Sequence, residues 1–383
     1  MRPQFNTLIL IKVDHTARRQ IIHGIGRYAR EIHRWQALIP WSDLDDWTLP
    51  RNMKIDGVIA FPSSRKDMDF LQRLKMPVVC VGPQFKEVDL PRIDWDSRVA
   101  GQLAAEHLIE CGLKQIAFVG ADLQAPYVAE RLEGARVALA RQGLDFTCFE
   151  LEPRGHKRGK GAAIMKRASK WLRTLNPPFG VIAATDITGL EVLNALHTAG
   201  ITVPEEAAVI SIGGDNVLCP FNNPSLSSVV LPGERVGYEA ASMLDRLMAK
   251  QAVHTHAPVA PSKLQVRRSS DMIATPDTLV RQALRFIRDH ADQAIQVADV
   301  VAAVPLSRRP LEIRFKNATG RTLQKEILRV HIERAKELLI ETDLSVAEVA
   351  IKCGFSEPQR MTEVFRRELD LSPGAFRQSR RIK

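Results

Sequence analysis

Val297-Ala298-Asp299-Val300-Val301-Ala302-Ala303-Val304 is answered 49 residues later by Val346-Ala347-Glu348-Val349-Ala350-Ile351-Lys352-Cys353. In each copy, apolar residues fall at i, i+3, i+4 and i+7, one face of a short helix. Each copy runs into a tight turn ending in serine, Pro305-Leu306-Ser307 in the first and Gly354-Phe355-Ser356 in the second. A second helix follows, anchored by Leu311 and Phe315, then by Met361 and Phe365. With serine read as the cap of each second helix, the pattern is helix, turn, helix, written twice over about 296–320 and 345–369.

The segment between the copies carries Leu328, Ile332, Ala335 and Leu339 as one stripe, a helix long enough to hold two small units apart. Ser345 and Glu348 make a capping box at the start of the second copy. Pro310 and Pro358 fall in the first turn of their helices, where a missing N–H costs nothing.

At 100° per residue, burying Leu311 and Phe315 turns Arg309, Glu312, Ile313 and Lys316 outward, with Arg308 and Arg314 on the flanks. Burying Met361 and Phe365 turns out Gln359, Arg360, Thr362, Glu363 and Arg366. These are side chains a major groove can use. Arginine forks onto guanine, glutamine onto adenine, glutamate accepts from cytosine, and an outward isoleucine suits the thymine methyl. Lys316, Arg366 and Arg367, one turn further along, are better placed for phosphates. Such residues more often belong to a solvated charged face, so base contact is an expectation for the helices as units.

Here a resemblance becomes visible. Glu333-Arg334-Ala335-Lys336-Glu337-Leu338-Leu339, Leu344 to Ala350, Cys353-Gly354-Phe355-Ser356, Val364-Phe365-Arg366-Arg367 and Leu371-Ser372-Pro373 are similar to the AraC-type DNA-binding domain. That family uses the same outward positions for base contacts.

The chain has 383 residues, 45% hydrophobic and 26% charged, and is ordinary globular material for two or three domains. Net charge is +10, with 20 Lys+Arg against 15 Asp+Glu from Asp277 onward. Positive charge is thus densest at the C-terminal end, as phosphate binding requires. The five cysteines are scattered, with no C-x-x-C, so neither a disulfide frame nor a structural zinc site is expected. G-x-S-x-G, H-E-x-x-H and P-loop patterns are absent from the sequence, so no enzyme, cofactor or metal is expected. Met1–Val13 is too brief for a signal peptide and no run of eighteen apolar residues occurs. The expected location is the cytoplasm, with no membrane partner.

From Thr7 to about Arg268, short apolar runs alternate with amphipathic helices, the mark of α/β architecture with parallel sheets. So many units exceed one compact sheet, and two similar lobes are expected. The expected domains are 1–268, a linker at 269–276, and 277–383. Gly24-Ile25-Gly26 lies within the first helix and reads as close helix–sheet packing.

Asp56-Gly57-Val58-Ile59, Ile93-Asp94, Arg131-x-x-Gly134, Ala184-Thr185-Asp186, Gly214-Asp215-Asn216 and Ser227-Ser228-Val229 resemble the LacI/GalR-type sugar-sensing core. That core shares the two-lobed periplasmic-binding-protein-like fold. Followed by an AraC-type domain, it is similar to regulators of the xylose-operon activator type. The resemblance implies a homodimer that binds promoter DNA and a small sugar, xylose or a related pentose, and activates transcription through RNA polymerase. Asp14-His15-Thr16-Ala17-Arg18 and Trp95 depart from that type.

Geometry supports a sugar independently. Parallel sheets bind ligands at the carboxyl ends of their strands, where Asp14, Asp94, Asp186 and Asp215 are expected. Arg131 follows near the start of a helix, and Trp95 offers an aromatic face. Carboxylates accept from hydroxyls and an arginine fork donates. Aspartate directly after a strand also serves as a plain helix cap, which weighs most against Asp14 and Asp94. Rival readings are a sugar receptor without DNA function and a repressor answering another small ligand.

Overall fold

The computed structural model describes residues 5–32, 35–39, 54–82, 89–151, 160–261, 263–272, 274–275 and 277–380. The chain divides into two compact units, Met1–Met272 and Ile273–Lys383.

In the first unit, the first lobe opens with β1 (Phe5–Leu10), α1 (Thr16–Ile32), β2 (Trp35–Leu38), β3 (Gly57–Ala60), α2 (Arg65–Gln72), β4 (Val78–Val81) and β5 (Arg92–Trp95). The chain then passes through α3 (Ser97–Glu110), β6 (Gln115–Gly120), α4 (Pro126–Ala140), β7 (Asp145–Glu150), α5 (Lys160–Leu172) and β8 (Phe179–Ala183). It continues through α6 (Asp186–Ala199), β9 (Ala207–Gly213), α7 (Leu218–Phe221), β10 (Ser227–Val230), α8 (Gly233–Met248), β11 (His256–Val259) and β12 (Lys263–Gln265).

Two six-stranded sheets result, ordered β11-β5-β4-β3-β1-β2 and β12-β10-β9-β8-β6-β7. Among the described residues all pairings are parallel except β12 against β10. The two-lobed expectation holds. Strands such as Val78–Val81 and Phe179–Ala183 are buried at every position, which is why they read as unbroken apolar runs. The chain changes lobe between β5 and α3, between β10 and α8, and between β11 and β12. Each sheet reverses its strand order beside its first strand, at β1/β3 and at β6/β8.

Gly24 packs helix to helix, not helix to sheet. A Cβ there would collide with the backbone carbonyl of Glu234 on α8, and one on Gly237 would collide with the carbonyl of Ile21 on α1. The second lobe repeats the device between α3 and α4, where Gly101 faces the carbonyl of Arg131 and Gly134 that of Arg98. Gly26 meets only the flexible tip of Arg30.

The first unit extends further than expected. Ser269 and Ser270 are buried in it, and the Ser269 hydroxyl donates to Val209 O at 2.6 Å. The division after Met272 therefore lies inside the 269–276 stretch read as a linker, because these serines complete the hydrogen bonding of β9 and β10.

Among the described residues the second unit is all helical: α9 (Thr278–Asp289), α10 (Val297–Ala302), α11 (Arg308–Thr319), α12 (Leu323–Glu341), α13 (Val346–Lys352), α14 (Pro358–Leu369) and α15 (Pro373–Arg380). Two cores form. Val300, Val304, Leu311 and Phe315 pack with α9 and with Leu323, Ile327 and Val330 of α12. Val349, Ala350, Cys353, Met361 and Phe365 pack with Ile332, Ala335 and Leu339 of the same helix. One helix therefore serves both halves.

The Ser345–Glu348 capping box is present. The serine caps on the second helices are not. Ser307 holds the cap position of α11 without a side-chain bond, and Glu357 holds that of α14. Pro358, at the first helical position, starts α14 one residue later than Ser356 would. Gly354 has φ +72° and faces the carbonyl of Gln293, so the second turn admits no side chain.

Candidate functional site

A cavity of about 920 Å³ lies between the lobes of the first unit, at the upper end of the roughly 300–1,000 Å³ usual for small-molecule sites. His15–Arg18 and Phe61, after β1 and β3, line one wall. Tyr127 and Arg131 after β6, with Thr185–Thr188 after β8, line the other. Both walls are therefore the points where the strand order reverses, the place where open α/β sheets bind ligands.

Arg131 is buried, with its guanidinium donating to Ala184 O and standing 5.1 Å over the Tyr127 ring. Burial pushes it down to about 10, opposed by Tyr127 and Asp186, so it stays charged at neutral pH. Its Nε finds no acceptor among the described residues, and neither does the buried Trp95 Nε1. Trp95 and Phe61 form an aromatic wall with ring centres 6.3 Å apart, and the Arg18 guanidinium sits 4.3 Å over Phe61.

Asp215 bridges the lobes. Its Oδ2 accepts from Thr16 Oγ1 at 2.6 Å, and its Oδ1 accepts from Val217 N and Leu218 N at 2.9 and 2.8 Å. Burial alone would raise its carboxyl, but the bonds from Thr16, Leu218 and Val217, with the Arg19 charge, hold it below the ordinary value. Asp186 stands beside it. Its Oδ1 takes hydroxyls from Ser211 and Ser228, and its Oδ2 takes the Asp215 N–H at 2.8 Å.

The structure gathers Arg131, Asp186, Asp215 and Trp95 around the cavity but leaves out Asp14 and Asp94. The Asp14 carboxylate is held by Arg18 at 2.8 and 2.9 Å. Asp94 lies inside β5, which runs on to Trp95, so the two point to opposite faces. Asp94 is buried against His256 of β11 at 3.1 Å and Arg92 at 3.4 Å. Thr16, Phe61 and Tyr127, which sequence reasoning does not single out, also line the walls, as does Arg18, which it weighs and places below a structural role. Applying the strand-end rule to Phe61 as well as to aspartates would have found it.

In the second unit, Arg308, Arg309, Lys316, Gln359, Arg360, Glu363 and Arg366 are exposed on α11 and α14, while Glu312 and Thr362 are half-buried. Ile313 is 54% exposed. Arg308 holds Glu312 at 2.9 Å and Arg360 holds Glu363 at 3.4 Å. Thr362 donates to Pro358 O. Arg309, Lys316, Gln359 and Arg366 make no side-chain bond among the described residues. Among the described residues, no helix is long and apolar enough to cross a membrane.

Residues 105–270 match the periplasmic binding protein-like domain family, and residues 300–379 match a helix-turn-helix domain family. A ligand-binding core followed by paired helix-turn-helix motifs defines a DNA-binding transcription regulator, not an enzyme. The chain is 30% identical over 381 residues to the xylose operon regulatory protein of Haemophilus influenzae, covering 97% of this chain and 98% of that one. It is also 30% identical to the xylose operon regulatory protein of Escherichia coli K12, over 96% of both. It is similar throughout both chains to a solved xylose-binding transcription activator, xylR, with 28% identity and a TM-score of 0.80. The chain belongs to the family of xylose operon regulatory proteins.

Proposed function

We propose that this protein is a sugar-responsive transcriptional activator of a pentose catabolic operon, and that xylose or a close relative binds between its lobes. The observation that carries the ligand class is the donor and acceptor set. Two buried donors without acceptors among the described residues, Trp95 Nε1 and Arg131 Nε, stand with an ionised Asp215 and an aromatic wall. A polyhydroxyl ring offers hydroxyls to each and a C–H face to Trp95 and Phe61. In this reading Arg131, Asp215 and Trp95 contact the sugar. Asp186 steadies Asp215 through its backbone N–H.

Closure of the lobes by hinge motion shifts the population of arrangements in which paired C-terminal domains fit promoter DNA. Each chain, as half of a homodimer, presents α11 and α14 to successive major-groove faces about 10 base pairs apart. Activation proceeds by contact with RNA polymerase in the cytoplasm. A melting-temperature panel of pentoses and hexoses tests the sensor, and a panel with no stabilising sugar would end this reading.

Arg309 and Gln359 are assigned to base edges, with Arg308, Glu312, Ile313, Arg360, Thr362 and Glu363 beside them and Lys316 and Arg366 on phosphates. Arg309→Ala is expected to relax preference at one base pair by about 1–3 kcal/mol in a gel-shift series of operator variants. Equal weakening on every sequence would make Arg309 a phosphate contact instead.

A further inference from the structure

β10 lies between the cavity wall and the last residues of the first unit, and its two serines face opposite ways. On one face, the Ser228 hydroxyl donates to Asp186 Oδ1 at 2.7 Å and accepts from Gly214 N at 2.9 Å. Ser211, its register partner on β9, donates to the same Oδ1 at 2.6 Å. Asp186 in turn holds the backbone of Asp215. On the other face, the Ser227 hydroxyl accepts from Arg267 N at 2.8 Å and donates to Arg267 O at 2.9 Å. Ser227 N–H donates to Ser269 Oγ at 2.8 Å, and Ser270 Oγ donates to Ser227 Oγ at 2.7 Å. All five serines are fully buried, so little water competes for these bonds. Met272, two residues past Ser270, is the last residue of the unit.

We propose that β10 is the coupling strand of this regulator. Ser228 registers where the Asp186–Asp215 pair stands, and Ser227 hands that position to residues 267–270, a largely buried stretch close to the end of the unit. The physical basis is that buried, directional hydroxyl bonds fix position on both faces of one rigid strand. A shift of Asp215 on the ligand therefore pulls on Asp186, on Ser228 and on the strand that carries Ser227. Apolar side chains at 227 and 228 would fill the space without transmitting direction. The coupling rests on the sugar-sensor reading given above.

The test uses the full-length chain, D-xylose as the probe and a fragment of its own promoter. Ser227→Ala and the milder Ser270→Ala are compared with wild type for xylose affinity by calorimetry and for promoter affinity with and without xylose. Ser270→Ala leaves the Ser227–Arg267 pair intact, which covers the case in which Ser227→Ala does not fold. The expected result is xylose affinity within about twofold of wild type, with the xylose-induced change in promoter affinity cut about fivefold or more. A folded variant that binds xylose and keeps the full wild-type response overturns the coupling and leaves the functional reading standing. A wild-type chain that ignores xylose and every other sugar of the melting-temperature panel overturns the functional reading and the coupling with it.

Discussion

Gly24→Ala is expected to lower the melting temperature by roughly 5–10 °C, while Gly26→Ala, two residues along the same helix, leaves it unchanged or raises it slightly. The new methyl at 24 runs into the Glu234 carbonyl, a backbone atom with no rotamer to move away. Overpacking of this kind costs about 1–3 kcal/mol, and a backbone collision belongs at the top of that range or beyond. At roughly 2–4 °C per kcal/mol for a domain of this size, the fall should be plain in a thermal scan. At 26, the added methyl meets only the tip of Arg30, and alanine gains about 0.5–1 kcal/mol over glycine inside a helix. Equal melting temperatures for the two variants would mean that α1 and α8 do not approach as described.

The second large effect is expected at Asp215. Its carboxylate supplies the proposed acceptor for sugar hydroxyls, and hydrogen bonds to a charged group contribute roughly 1.5–3 kcal/mol each. Asp215→Ala should therefore weaken sugar binding about 100-fold if two hydroxyls are bound. A ligand at 100 times its Kd stabilises by about 2.7 kcal/mol, and at the same concentration the variant would keep only about 0.4 kcal/mol, so most of the sugar-induced rise in melting temperature should be lost. Basal promoter binding should remain, since the α11 and α14 side chains are untouched. Some loss of stability without sugar is expected as well, because the Thr16 bond and the two backbone bonds opening α7 go with it. A sugar response of wild-type size would remove Asp215 from the site. The depressed carboxyl value also sets a pH dependence. The stabilisation from these bonds is complete above the ordinary carboxylate value and is lost as pH falls through the depressed one.

Much of this architecture was legible in the residues. The twice-written helix spacing located α10, α11, α13 and α14, and apolar runs located the central strands. Edge strands were harder. β2 is a four-residue strand with its middle exposed, and β11 contains Pro258 and sits at a sheet edge, where strand signals fade. For the cavity, the strand-end rule found Asp186 and Asp215 but misjudged Asp94, because β5 runs two residues beyond Ile93 and its alternation gives the cavity side to Trp95. Thr16 and Asp215 meet across 199 residues, and nothing local in either segment announces the other. The pairing of Gly24 with Gly237 was equally silent, since a glycine inside a helix does not say which neighbour requires it.

That both halves of the second unit share α12 has an evolutionary corollary. Inserting a single residue into that rod would rotate one reading head against the other by about 100° and lengthen their separation by about 1.5 Å. Operators recognised by descendants of this chain should therefore drift in their letters while the interval between the paired boxes stays fixed.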